Sequence, residues 1–119
     1  MSIVDPRGLN EHFNDLFRQG QLDSMTALYE PNAVIRLPDG SEITGHEQIK
    51  GYIGQLLTLR GELVASTPTC TRQGDLALLT AEWSFQGRDA EDRPVKLEGR
   101  SSKVARQDTD GIWRYVIDA

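Results

Sequence analysis

The sequence predicts an α+β fold: a strongly curved antiparallel or mixed sheet wrapped over N-terminal helices, forming a cone with an interior pocket. Three observations lead there. Helical periodicity is confined to the first half of the chain, and from Gly61 onward only strand patterns occur. The stretch Asp75–Gly87, DLALLTAEWSFQG, alternates cleanly. Ala77, Leu79, Ala81, Trp83 and Phe85 share one face, and Leu76, Leu78, Thr80, Glu82, Ser84 and Gln86 share the other. Strand patterns flank it, Leu63–Arg72 before and Val95–Arg106 after, so it is central and the helices cover one side of the sheet. A curved sheet closed by helices on one side leaves a concavity where a small ligand would sit.

The elements follow in chain order. Asp5-Pro6 opens a helix, since Asp is a good N-cap and Pro suits the first helical position. Leu9, Phe13, Leu16 and Phe17 form its apolar stripe, and Gly20 stops it in a left-handed cap. Leu22, Met25, Leu28 and Tyr29 mark a short second helix that Pro31 ends. Ala33–Leu37 is a strand, Pro38-Asp39-Gly40 a turn, and Glu42–Thr44 the returning strand. A third helix from about His46 to Thr58 buries Ile49, Tyr52, Ile53, Leu56 and Leu57. Four antiparallel strands complete the chain. They turn at Gln73-Gly74-Asp75, at the polar loop Arg88–Pro94 and at Asp108–Gly111, and the last is Ile112–Asp118.

With 119 residues the chain makes one domain, 1–119, large enough for a core. A net charge of −5 disfavours nucleic acid and anionic membrane surfaces, because no basic excess is available to neutralise phosphates. No apolar run reaches membrane-spanning length, and the start MSIVDPRGLN lacks the pattern of a signal peptide. Cys70 is the single cysteine, so no internal disulfide forms, and a cytoplasmic location is expected.

Three stretches carry a resemblance. GQLDSMTALYEPNAV, LPDGSEITGHEQIKGYI and GRSSKVARQDTDGIWRYVIDA follow one another as the corresponding segments do in the nuclear transport factor 2-like superfamily, in its SnoaL-like branch. The resemblance covers nearly the whole chain. It implies a cystatin-like α+β cone, an interior pocket and a homodimer through the outer sheet face. The superfamily holds isomerases, cyclases, dehydratases, epoxide hydrolases and non-catalytic binders, so the fold decides no function. Its steroid isomerases use a helix tyrosine, a strand aspartate base and a protonated aspartate. By position those fall at Phe13, Arg36 and about Arg100, none of which can do that work, so no steroid isomerisation is expected.

The candidate ligand-binding residues are Phe13, Phe17, Arg36, Tyr52, Trp83, Arg100, Ser102 and Tyr115. The aromatics fall on faces expected to point inward, and plain core packing is the simpler account of any one of them. Arg100 shares strand parity with Ser102 and Val104, so an interior facing Val104 takes Arg100 with it as the main polar anchor, with Arg36 near the mouth. Asp118, opposite in parity to Trp113, is expected to be exposed. No catalytic residue is assigned. No Cys-x-x-Cys, His-Glu-x-x-His or phosphate loop occurs, so neither a metal nor a cofactor is expected.

The function these observations favour is binding of a small apolar or aromatic ligand, optionally anionic, by a homodimer, with enzymatic activity left open. One alternative is an isomerase, cyclase or hydrolase acting on a small apolar carbonyl or polycyclic compound. Another is a ligand-free dimerisation module.

Overall fold

A computed structural model describes residues 3–119. Asp5 caps a short 3-10 turn, Pro6–Gly8, by accepting a hydrogen bond from the Arg7 backbone N–H, and α1 (Leu9–Gln19) continues from it. Gly20 ends α1 in the left-handed conformation, φ 68°, its N–H reaching back to the last turn. After α2 (Leu22–Thr26) come β1 (Tyr29–Arg36), β2 (Glu42–Thr44) and α3 (Gly45–Leu56). Five strands finish the chain: β3 (Arg60–Ser66), β4 (Cys70–Gln73), β5 (Leu76–Arg88), β6 (Pro94–Gln107) and β7 (Trp113–Asp118).

All seven strands form one curved sheet in the order β2-β1-β7-β6-β5-β3, with β4 also paired to β5. Every pairing is antiparallel except β1 with β7, which makes the sheet mixed. The α+β class with helices against a curved sheet is as the sequence predicts. On β5, Ala77, Leu79, Ala81 and Phe85 are buried while Leu76 and Leu78 are exposed, so its concave face is the one the alternation assigned.

The strands depart from the expected pattern at three places, each for a local reason. The expected strand Leu63–Arg72 is two strands. Chain continuity breaks at Thr67-Pro68-Thr69, where proline has no N–H for the ladder, and β3 and β4 then dock on successive lengths of the same edge of β5. The strand expected at Ala33 starts at Tyr29, so Leu28 and Tyr29 lie past α2 and Pro31 lies inside β1. It is tolerated there because the β1–β7 register shifts between Tyr29 and Val34. A second register shift, between Val104 and Ala105, leaves Val116 of β7 unpaired with β6.

That second shift has a consequence. Trp113 and Tyr115 point into the core and are fully buried. Beyond Val116 the parity reverses, so Ile117 faces outward at 43% exposed and Asp118 turns inward. Curvature at the other end of the sheet relies on Gly61 and Gly87, which face each other across β3 and β5. A Cβ on either would lie within about 2.2 Å of the opposite backbone, so only glycine permits this approach.

Candidate functional site

Between the helices and the concave sheet lies a cavity of about 730 Å³. Asn10, Phe13, Asn14 and Phe17 line it from α1, because the apolar stripe of that helix faces the sheet. Tyr52, Ile53 and Leu56 line it from α3. Leu63, Ala65, Ala81, Trp83, Phe85, Gly99, Ser101, Lys103 and Asp118 form the sheet wall. Arg36, Leu37 and Pro38 add the end of β1 and its turn. The lining is therefore mainly apolar, and Phe17 meets Phe85 edge to face with ring centroids 6.1 Å apart. Trp83 lies over Gly99 of β6. A Cβ there would come within 2.9 Å of the indole, so the missing side chain lets the ring lie flat against the wall.

One group of polar side chains on this wall is joined by contacts. Lys103 and Asp118 are register partners on β6 and β7, with Nζ 3.6 Å from Oδ2 and side chains only 11% and 16% exposed. Tyr29 donates its hydroxyl to the same Oδ2 at 2.9 Å. The Lys103 ammonium lies 4.7 Å from the centre of the Tyr115 ring and 5.7 Å from that of Phe13, so two π faces help to hold the charge. Tyr115 in turn donates to Asn10 Oδ1 at 2.6 Å, and Asn10 Nδ2 donates to Thr67 Oγ1 at 2.8 Å. His46 donates through Nε2 to the Tyr29 carbonyl at 2.7 Å; a carbonyl only accepts, so Nε2 carries the proton. Burial pushes the Tyr29 phenol well above its ordinary range, and the neighbouring Asp118 charge pushes it further the same way. Tyr115 is raised by the same two causes in the same order, and Tyr52 is raised too. All three phenols are thus held neutral and can serve as donors.

Residues 10–115 match the model of the SnoaL-like domain. The chain belongs to the SnoaL-like family. Solved proteins described as nuclear transport factor 2-like share its fold. A conserved protein from Planctomyces limnophilus superposes with a TM-score of 0.86 at 16% identity, covering 95% of this chain and 89% of that one. A ketosteroid isomerase-like protein from Erwinia carotovora gives 0.82 at 11% identity, with 93% and 88% covered. An NTF2-like protein with a cystatin-like fold from Novosphingobium aromaticivorans gives 0.78 at 16% identity, with 94% and 75% covered. No curated protein matches the sequence.

Within this SnoaL-like cone the expected site residues separate. Phe13, Phe17, Tyr52 and Trp83 come together on the cavity wall, and Arg36 reaches its rim. Tyr115 is buried behind the wall, joined to Asn10 and beneath Lys103. Arg100 borders the cavity, but its side chain does not enter it as expected. Arg100 pairs with Glu82 in the β5–β6 register, its side chain is 85% exposed, and it lies 3.5 Å from the Glu82 carboxylate on the convex face. Ser102 stands opposite Thr80 on that same outer face and does not line the cavity. The inward residues of β6 are Gly99, Ser101, Lys103 and Ala105, so the cationic side chain that β6 turns toward the cavity is Lys103. Asp118, expected to be exposed, is its nearly buried partner.

Sequence reasoning missed Lys103, Asp118, Tyr29 and Asn14. A signal for Lys103 existed: the tight Asp89–Arg93 turn sets the β5–β6 register, and that register puts Lys103 opposite Leu79. Among the described residues no three His, Cys, Asp or Glu side chains gather as a metal site, and no helix is long and apolar enough to cross a membrane.

Proposed function

We propose that this SnoaL-like protein binds a small, largely apolar or aromatic molecule inside its cone. One observation carries the reading: a cavity of about 730 Å³, lined by Phe13, Phe17, Tyr52, Trp83 and Phe85, with the nearly buried pair Lys103 and Asp118 on its wall. A void of that size suits a drug-sized molecule, and an apolar lining with a few convergent polar groups is how such sites are built. A cone packed solid by its own side chains would have favoured the ligand-free module.

The working unit in this reading is a homodimer, placed in the cytoplasm. Leu78, Val104, Ile117 and Val34 follow one another across four strands of the convex face by register. Leu78 and Ile117 are 53% and 43% exposed, and a contiguous apolar row on a sheet face favours a self-complementary contact.

A second reading is enzymatic, and one specific observation favours it. Asp118 is a nearly buried carboxylate in the cavity, with a phenol and an ammonium beside it. Such a group can accept or return a proton at a bound molecule, as an isomerase or hydrolase of a small carbonyl compound requires.

Native mass spectrometry of the protein as purified tests the first reading. It should give twice the 13.3 kDa chain mass, with a small-molecule adduct that collisional activation releases. A clean monomer would refute the dimer. Failure to take up any apolar aromatic compound added in excess would refute the binding function.

A further inference from the structure

We infer that the Lys103–Asp118 pair on the cavity wall reads a neutral head group that carries a carbonyl oxygen beside an N–H or O–H, a carboxamide or similar, and that it discriminates against carboxylates. The inference rests on the proposed binding function and names the chemistry that the site would select.

Lys103 lies almost wholly within the protein, yet its Nζ makes no hydrogen bond to any described residue. Its distance of 3.6 Å to Asp118 is an ion pair, too long for a hydrogen bond, and its other neighbours are the faces of Phe13 and Tyr115. An ammonium has three donors and no acceptor capacity, so N–H groups remain for an acceptor that enters the cavity. Asp118 is the complement. Both Tyr29 and Lys103 approach Oδ2, while Oδ1 receives no donor from the described residues. A donor and an acceptor thus stand a few ångströms apart on the wall of a mainly apolar cavity.

The charges decide what may bind there. Lys103 is already balanced by Asp118, so the pair has no net charge to offer a ligand anion. A carboxylate entering would meet Asp118 as well as Lys103, and it would lose its hydration without an uncompensated cation to replace it. A carboxamide meets neither penalty: its oxygen takes a Lys103 N–H, and its N–H goes to Asp118. Arg36 also lines the cavity but is no partner in this pair.

The test is a titration of the protein with 2-naphthamide, 2-naphthoate and 2-methylnaphthalene, which share one apolar body. Binding is followed by indole fluorescence and by calorimetry, and each probe is repeated on Lys103→Met. The wild-type protein should bind the amide about tenfold or more tightly than either other probe, as one charge-assisted hydrogen bond implies. Lys103→Met should bring the amide to the level of the hydrocarbon. Naphthoate binding as tightly as the amide, or more so, would overturn the inference. So would equal binding of all three, although that result would leave the cavity as a binding site. If no probe binds, the proposed function itself fails and this inference with it. The wild-type ranking stands by itself should the variant fold poorly.

Discussion

Lys103 and Asp118 sit side by side on β6 and β7, 3.6 Å apart and nearly buried, on the wall of a mainly apolar cavity. Their meeting depends on the single unpaired residue Val116, since without that shift Asp118 would face outward.

Breaking the pair should cost stability. Asp118→Asn leaves Lys103 without its counter-charge, and the expected loss is about 3 kcal/mol in urea unfolding. The double variant Lys103→Met with Asp118→Asn should recover most of it, because the uncompensated charge is then gone. A loss below about 0.5 kcal/mol for Asp118→Asn would mean that the pair is too well solvated to matter.

The tyrosines set an alkaline limit. Tyr29 and Tyr115 have folded-state phenols raised well above their ordinary value, so the unfolded chain gives up its protons first as the pH rises. Stability should be unaffected by these groups below about pH 10. Above it, stability should fall by up to about 2.7 kcal/mol per pH unit while both remain protonated only in the folded state. Phenolate absorbance at alkaline pH should therefore appear together with the loss of helical circular dichroism. Phenolate formed by these two tyrosines in the still-folded protein near pH 10 would contradict the burial.

The convex face should dissolve the dimer when charged. Leu78 is exposed and stands opposite Val104 in the register, so Leu78→Arg places a charge in the centre of the apolar row without touching the cavity. Sedimentation at micromolar concentration should shift from a dimer in the wild type to a 13.3 kDa monomer in the variant, with the helical signal intact. An unchanged mass would place the interface elsewhere.

Gly99 should control Trp83. Gly99→Ala brings a methyl within 2.9 Å of the indole and forces the ring away from the wall. The expected destabilisation is about 1–3 kcal/mol, with a shifted emission maximum and weaker probe binding. Trp113 is fully buried, so a soluble quencher should act mainly on Trp83, and Trp83→Phe should remove that quenching.

The legibility of the sequence followed the strength of its alternation. β5 alternates apolar with polar residues over most of its length, and its two faces were assigned correctly from the residues alone. Gly20 was read correctly because only a left-handed cap explains a glycine after an apolar stripe. On β6 both faces carry small and charged residues, so parity rested on Val104 alone, and Val104 belongs to the convex apolar row. Parity with Val104 therefore misdirects the side chains of Arg100 and Ser102: Ser102 faces outward, and Arg100 borders the cavity with its side chain exposed. On β7 the alternation is true as far as Tyr115 and then shifts at Val116. A bulge has no composition signal when the extra residue is an ordinary valine. The aromatic part of the cavity was thus legible, while its charged pair needed the register of three strands.

The most direct test of a ligand-binding cone is to fill it. Ala81 is buried on β5 and lines the cavity, so Ala81→Phe adds a ring to the space where a ligand would lie. Titration of wild type and variant with 2-naphthamide, followed by indole fluorescence, measures the consequence. The wild type should saturate at one molecule per chain, and Ala81→Phe should lose that saturation while keeping the wild-type circular dichroism spectrum. Saturable binding of equal affinity in the folded variant would place the ligand outside the cone and contradict the account.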